Sequence, residues 1–594
     1  MKNYTNRHQE LGKRLKDTKY LNLKILAIVF FCFNLTFATD YHIGPGQTYN
    51  ELGDIPWLTL QPGDHVFIHW RSNPYAEKLF IRVRGTEQNP IIISGVPNAN
   101  GDLPVITGEN ATTPTQFAGY FSSQWTEDLA LILISRNENV PPEDNYTYKP
   151  GYLIFEYLEL TGAYKDNTFT DQFGNVRNYN PFCSAIHALI SDNLTIRHCK
   201  IHDNGQAIFT NSYGSEEGEI SRNTLIEYNR IWNNGGPEDD FTHNIYIQSA
   251  GTIIQYNYFG QPRQGSLCAN IKDRSSGTII RYNWIDAAAY LLDLVETEDA
   301  QDIIMNEPNY HDVYVYGNIF LNNVSSNIFA ASLIHFGYDN SPDLAKRGTL
   351  YFFNNTVFIQ GDENDWWNTT LFFINDDQNP STTEASVDMY NNIIAKEGTT
   401  HLQLMRDGGT LNIYANNWLQ NDFEEISDGA TAQVNNITSP ITGTSPGFAD
   451  PSNQDFHLIS SSPCIDMSGP LPTNITSNYP LDKQYIQHAN VEDRNTVGNA
   501  MDLGAFEYDS SLGINSDNYF DSLVIFPNPV KNILYLKSEK NISQYEIFNI
   551  LGQKISSHKL KNNKIGVSKL PKGTYYLKAI IDKNNTKTLK FIKQ

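Results

Sequence analysis

Between about residue 194 and residue 420 a short phrase of alternating apolar and polar residues keeps returning: LTIRHCKI, TLIEYNRI, TIIQYNYF, TIIRYNWI, VYVYGNIF, LYFFNNTVF, VDMYNNII and LNIYANNWL. Alternation over four to six positions is the period of a β-strand with one buried face. Each run then meets an asparagine, and aligning these gives Asn229, Asn257, Asn283, Asn318, Asn355, Asn392 and Asn416, with Cys199 in the equivalent place of the first phrase. The intervals, about 24 to 37 residues, are those of a solenoid whose units cannot bury their apolar faces alone and must stack. Helical periodicity and Leu-x-x-Leu-x-Leu spacing are both missing from the phrase. The pattern predicts an all-β chain folded as a parallel β-helix, its asparagines forming an internal ladder at a turn.

A second strand is expected before each asparagine-bearing one: SAIHALI (184 to 190), QAIFTN (206 to 211), HNIYIQ (243 to 248), ANIKDR (269 to 274), LLDLVE (291 to 296) and SLIHFG (332 to 337). If Ile245, Ile247, Ala269, Ile271, Leu292, Leu294, Ile334 and Phe336 point inward, the alternate residues point outward. His187, Tyr246, Lys272, Asp293 and His335 then share one outer face, with His243, Asn244, Gln248, Asn270, Arg274 and Glu296 close by. Clustering of titratable groups on one face singles out a candidate site; a surface ion pair across neighbouring strands is the plain alternative for Lys272 and Asp293. Arg281 lies in an asparagine-bearing strand and reads as structural.

The N-terminus has a basic segment near Lys19 and Lys24, then ILAIVFFCFNLTFA, ending on the small-x-small pattern Thr36-Phe37-Ala38. This is the layout of a cleaved export signal, residues 1–38. A polar stretch, 509–522, separates a β-helix domain at 39–508 from a Lys-rich C-terminal segment, 523–594, which reads as short antiparallel strands and turns.

Composition narrows the function. Charged residues make up 18% and aromatics 12%, with 34 Tyr and 31 Phe, and the formal net charge is -23. Such a balance suits an extracellular β-protein and argues against a nucleic-acid partner, whose phosphates demand clustered Lys and Arg. Four cysteines follow the signal, Cys183, Cys199, Cys268 and Cys464, too few for a disulfide framework and without zinc spacing. A Cys183 to Cys199 bridge and buried free thiols are both open. In the loop GGPEDDF, Glu238, Asp239 and Asp240 offer the hard oxygen ligands that Ca²⁺ takes, though such a run is also an ordinary solvated turn.

Three resemblances add to this reading. The "PGD" before a strand, the "GT..NPI.I.G" turn and "PVITG" resemble the opening coils of right-handed parallel β-helix proteins that act on polysaccharides, and SPCIDMSG (462 to 469) and DLGAFEY (502 to 508) resemble their last coil. The coil holding Ile271-Lys272-Asp273 is similar to that of the chondroitinase B and alginate lyase family, which implies Lys272 as the base that takes the C5 proton of a uronic acid. Where that family has an arginine one coil later, this chain has Leu292-Asp293-Leu294. Phe526-Pro527-Asn528-Pro529, Leu551-Gly552-Gln553 and Gly573-Thr574-Tyr575-Tyr576 resemble the C-terminal sorting domain of the type IX secretion system of Bacteroidota, which implies the secretion machinery as partner and a secreted or cell-surface location.

The expected function is a secreted, monomeric lyase for an acidic polysaccharide such as alginate, ulvan or pectin. Lys272 would be the base, Arg274 the carboxylate partner and Tyr246 or His243 the acid, with Asp293 also catalytic. His187, Asn244, Gln248, Asn270, Glu296 and His335 would bind substrate. Two alternatives stand beside it: a glycoside hydrolase pairing Asp293 with Glu296, Asp273 or Asp240, and a noncatalytic glycan-binding or adhesion solenoid.

Overall fold

The computed structural model describes residues 38–508 and 523–594, apart from internal stretches at 122–123, 138–142, 145–147, 213, 324–329, 363–368, 375–383, 415, 428, 539–541, 550–552, 562 and 581–585. The expected signal except Ala38, the linker 509–522, and Leu551 and Gly552 of the C-terminal motif lie outside the described residues. Three long sheets, of 13, 11 and 11 strands, run the length of the N-terminal domain. From Ile91–Val96 to Glu424–Ile426 each coil contributes one strand to each sheet, and every pairing within the three is parallel, as between Ala250–Gln255 and Ser276–Arg281. This is the predicted parallel β-helix. The strands just before the asparagines form the first sheet; those that carry the candidate site form the second.

The inner faces of all three sheets meet in one continuous apolar column that includes Ile186, Ile208, Ile245, Ile271, Leu292, Ile334 and Phe372. Like residues stack on like because each coil repeats the same inward positions in register. The asparagine ladder closes the turn from the first sheet to the third. Asn283 donates through Nδ2 to the carbonyls of Ile254 and Arg281 and to Asn318 Oδ1, while its own Oδ1 accepts from the backbone and side chain of Asn257. The ladder thus satisfies turn amides that lie too deep for water.

Cys199 fills the first rung as expected, accepting no chemistry but packing its thiol against the carbonyl of Arg197. One rung differs from expectation. Asn417, not Asn416, continues the ladder, receiving the Asn392 amide. The residue before each rung takes a left-handed conformation, at φ 53° for Tyr282, 58° for Asn391 and 51° for Asn416. In YANNW an added residue before the turn moves Asn416 into that left-handed place, which asparagine tolerates.

The stacked coils end at Ile441–Gly443, and residues 448–508 behave differently from the expected last coil. Part of them lies along the outside of the third sheet, where Phe448, Phe456, Leu458, Cys464, Tyr485 and Phe506 cover Trp284, Ile319, Ile393 and Trp418, while Ile475 and Leu481 pack with Tyr282, Tyr314 and Tyr316 on the side of the first sheet. Those outward apolar side chains of the sheet explain the covering. All four described cysteines are free and buried, so no Cys183 to Cys199 bridge forms. Residues 523–594 form antiparallel sheets of three and four strands around a separate core that includes Val530, Leu534, Ile547, Leu577 and Phe591.

Candidate active site on the second sheet

Strand register fixes which outward residues are neighbours. Across the second sheet the pairing runs Phe80, Leu133, His187, Phe209, Tyr246, Lys272, Asp293, His335, Phe373 and Arg406, one from each successive strand. The expected face is therefore present, with Lys272 and Asp293 at its centre. Aromatic rings flank the charges: His187 stacks on Phe209 at 4.3 Å and Phe209 on Tyr246 at 5.0 Å. On the other side His335 stacks on Phe373 at 4.6 Å, and the Arg406 guanidinium sits 4.5 Å from the Phe373 ring centre.

At the centre, Lys272 Nζ donates to Asp293 Oδ2 and to Asp339 Oδ2, each at 2.6 Å. Arg274 Nη2 donates to the same Asp339 carboxylate at 2.8 and 3.1 Å, and its Nη1 to the carbonyl of Glu296. The other oxygen of Asp293 meets His335 Nδ1 at 2.7 Å. Tyr246 donates its hydroxyl to Glu298 Oε2 at 2.6 Å, and Arg274 Nε lies 3.4 Å from that oxygen. His243 accepts the Ala269 amide on Nδ1, so its remaining proton sits on Nε2.

Protonation follows from these partners. Burial alone would push the Lys272 amine toward neutrality, but Asp293 and Asp339 outweigh it together with the repulsion of Arg274, and the pKa ends above its ordinary value. For Asp293 burial is likewise overcome, by Lys272 and His335, which hold it well below the usual carboxylate range. Asp339 is also lowered, by Lys272 and Arg274 against burial. Burial raises the Tyr246 hydroxyl and depresses His243 and His187, each to about 3. The resting site thus holds two cations, two anions, a protonated phenol and neutral imidazoles at His243 and His187. An amine between two carboxylates is held protonated, so in the resting site Lys272, expected as the base, stands as a charged donor.

Several expected substrate contacts turn out to be supports. Asn244 and Asn270 are wholly buried in a second internal ladder, Asn244 Nδ2 donating to Asn270 Oδ1 and Asn270 Nδ2 to the carbonyl of Asp286. Gln248 accepts the amides of Glu298 and Asp299. Glu296 accepts those of Asp339, Asn340 and Ser341. Gln248 and Glu296 are 1% exposed, and each pins one of the two loops that bring Glu298 and Asp339 over the site. Asp273 faces inward, wholly buried, accepting from Thr278 near Lys346. That excludes it and the loop-binding Glu296 as partners of Asp293 in a hydrolytic pair. Asp240 stands exposed on its own loop.

Asp239 spends its carboxylate on the Phe241 amide and the Thr242 hydroxyl, while Glu238 and Asp240 point to solvent. Among the described residues no group of three or more His, Cys, Asp or Glu is placed to hold a metal ion. Sequence reasoning missed Asp339 and Glu298. A signal existed, since each lies a few residues past the end of a site strand, as do Arg274 and Glu296.

Comparison with known proteins adds the following. Residues 524–594 match the family described as a secretion system C-terminal sorting domain. The chain therefore carries the expected sorting domain and is exported by the type IX system to the cell surface or the extracellular space. No curated protein matches the chain. Among solved structures, a mannuronic acid specific polysaccharide family 6 lyase from human gut microbiota is similar over 67% of this chain and 88% of its own, at 12% identity and a TM-score of 0.36. A pectate lyase matches over 80% and 97%, at 10% identity and 0.31. A lacto-N-biosidase from Eubacterium ramulus matches over 69% and 68%, at 12% identity and 0.33.

Proposed function

We propose that the β-helix domain is an exported lyase that cleaves a uronic-acid-containing polysaccharide by β-elimination. One observation carries the reading: Lys272, on the strand Ala269–Asp273, and Arg274, just past its end, converge on a single carboxylate, that of Asp339. Such a fork is built for one carboxylate group, and the Asp339 side chain that fills it is the more solvent-accessible partner, at 22% against 9% for Lys272. A uronate entering from solvent meets Asp339 first and takes its place. The flanking rings of Phe209, Tyr246 and Phe373 give sugar units on either side an apolar bed along the sheet, as a long chain requires.

Elimination needs the uronate carboxylate neutralised so that the adjacent proton becomes acidic, and an acid for the departing oxygen. Lys272 and Arg274 supply the first. Tyr246, kept protonated by burial and adjacent to Lys272 in the column, supplies the second. Hydrolysis is less well supported, because it requires one carboxyl group held protonated. Asp293 and Asp339, the two carboxyls nearest the centre, are both held ionised by Lys272.

The test is to incubate the exported protein with alginate, ulvan and pectin and follow ultraviolet absorbance of the unsaturated product. Absorbance that rises with one polymer and is lost in Lys272→Ala and Arg274→Ala supports the reading. New reducing ends without absorbance would replace it by hydrolysis, and retention on polysaccharide with neither signal by a binding role. Full lyase activity in Lys272→Ala would remove the fork from the mechanism.

A further inference from the structure

Resting on the lyase reading, the geometry points to His335 Nε2 as the base that removes the C5 proton, with Asp293 as the residue that orients it. Elimination needs a lone pair near the uronate, and most of the centre cannot supply one. Lys272 is a protonated donor between two carboxylates. His243 has its lone pair occupied by the Ala269 amide. Tyr246 donates its own proton to Glu298, and Asp293 and Asp339 are engaged by cations.

His335 differs. It stands on Ser332–Phe336, in register with Asp293 and two strands from Lys272. One carboxylate joins the two: Asp293 Oδ2 receives Lys272 Nζ and Oδ1 faces His335 Nδ1 at 2.7 Å. A carboxylate held ionised can only accept, so Nδ1 carries a proton, and in the neutral form of the ring the lone pair lies on Nε2. Nε2 is buried, yet it has no hydrogen-bond partner among the described residues. Buried polar atoms are satisfied in the great majority of cases, and an orphan at the edge of a charged centre is a place for a ligand atom. The stack on Phe373 and the neighbouring Tyr290 ring, 5.4 Å away, fix the imidazole plane, and Arg406 lies on Phe373.

In the step this defines, the C5–H bond breaks and its proton goes to Nε2. Its electron pair becomes the C4=C5 double bond as the C4–O bond breaks. The departing oxygen keeps the C4–O bonding pair and takes the Tyr246 proton. Water then carries the proton from His335 back to the phenolate, and both groups return to their starting state.

Histidine-selective ¹⁵N NMR of the substrate-free full chain tests the tautomer without any assay of activity: Nδ1 of His335 should be protonated and Nε2 bare. Kinetics test the role. His335→Ala and the bulkier His335→Gln should lower kcat by about 10²- to 10⁴-fold with KM changed only a few-fold, and added imidazole should raise the activity of His335→Ala but not of wild type. A protonated Nε2 in the neutral ring, or a kcat in either variant within a few-fold of wild type, overturns the assignment while leaving the lyase reading standing. A wild-type protein that forms no unsaturated ends from any uronate polymer overturns the reading itself, and the base role with it.

Discussion

Replacing Asp339 by alanine empties the two-cation fork, and the consequences can be worked from its contacts. The carboxylate accepts three charge-assisted bonds, one from Lys272 and two from Arg274. Bonds to charged groups are worth about 1.5 to 3 kcal/mol each in net terms. Here the sum is reduced because the side chain is partly solvated, Lys272 keeps Asp293, and Arg274 keeps the Glu296 carbonyl. A loss of about 2 to 4 kcal/mol remains, since two cations are left under-neutralised in a largely buried place.

That loss should be reversible by ligand. A small carboxylate that binds the emptied fork stabilises the folded form by about 2.7 kcal/mol at a concentration a hundredfold above its Kd, which is comparable to what the substitution removes. Thermal melts of Asp339→Ala should therefore rise with added acetate or a free uronic acid, at constant ionic strength against chloride, while wild type, whose fork is already filled, should move little. The variant should also show a lower KM for its polymer, because the internal competitor is gone. Equal response of wild type and variant to carboxylates, or an unchanged melt on substitution, would refute the view of Asp339 as a stand-in for the substrate carboxylate.

Asn283→Ala should cost roughly 3 to 5 kcal/mol, from about 1 kcal/mol for each of its five ladder bonds; a loss below 1 kcal/mol by chemical denaturation would deny the ladder its structural part. Gly95→Ala should prevent the N-terminal coils from stacking, because a Cβ there would lie 1.8 Å from the Tyr157 carbonyl oxygen; wild-type proteolytic resistance in the variant would contradict this. Lys78, wholly buried, has its pKa lowered to about 7 from 10.5 by burial, so between those values the unfolded chain binds more protons and stability rises with pH. Lys78→Met should flatten that rise by about 1.4 kcal/mol per pH unit, and an unchanged slope would count against the shift. Lys272→Met should lose about 3 to 5 kcal/mol by stranding Asp293, whereas Lys272→Met with Asp293→Leu should recover most of it; a double variant no more stable than the single would show that the pair is needed by the fold.

What the sequence made legible and what it hid divide along one physical line. Strand period and the recurring asparagine specify the coil, because alternation and inward stacking act on each unit in the same way. The outward register of Tyr246, Lys272, Asp293 and His335 followed from that alternation and was found as expected. Hidden were the contacts made by loops of variable length. Nothing in Gln248 or Glu296 announces that the one binds amides at 298 and 299 and the other at 339 to 341, or that Asp339 thereby reaches Lys272 across 67 residues of chain. Polar residues beside the site strands were read as substrate contacts, yet Asn244 and Asn270 turn inward, because their place in the coil is the start of the strand, where a ladder is needed. Protonation was hidden in part for the same reason: of the two carboxylates that keep Lys272 charged, Asp293 stands on the next strand but Asp339 comes from a loop.

The column itself argues that its charges are there for chemistry. At the same register position other coils carry Leu133, Phe209 and Phe373, and the solenoid stacks there without difficulty. The fold therefore accepts apolar side chains at this place and has no need of ions. Lys272 and Asp293 are nonetheless sequestered, and taking each from water costs several kcal/mol that their mutual attraction does little more than offset. Such a pair adds no stability that a leucine would not. What it adds is directionality: Asp293 holds an ammonium on one oxygen and an imidazole on the other, fixing the spacing between a carboxylate site and a proton acceptor. Lys272 and His335 stand two strands apart, about 9.6 Å, yet both reach one carboxylate, which draws the two together; elimination requires this, because the proton leaves C5, the carbon that bears the uronate carboxylate.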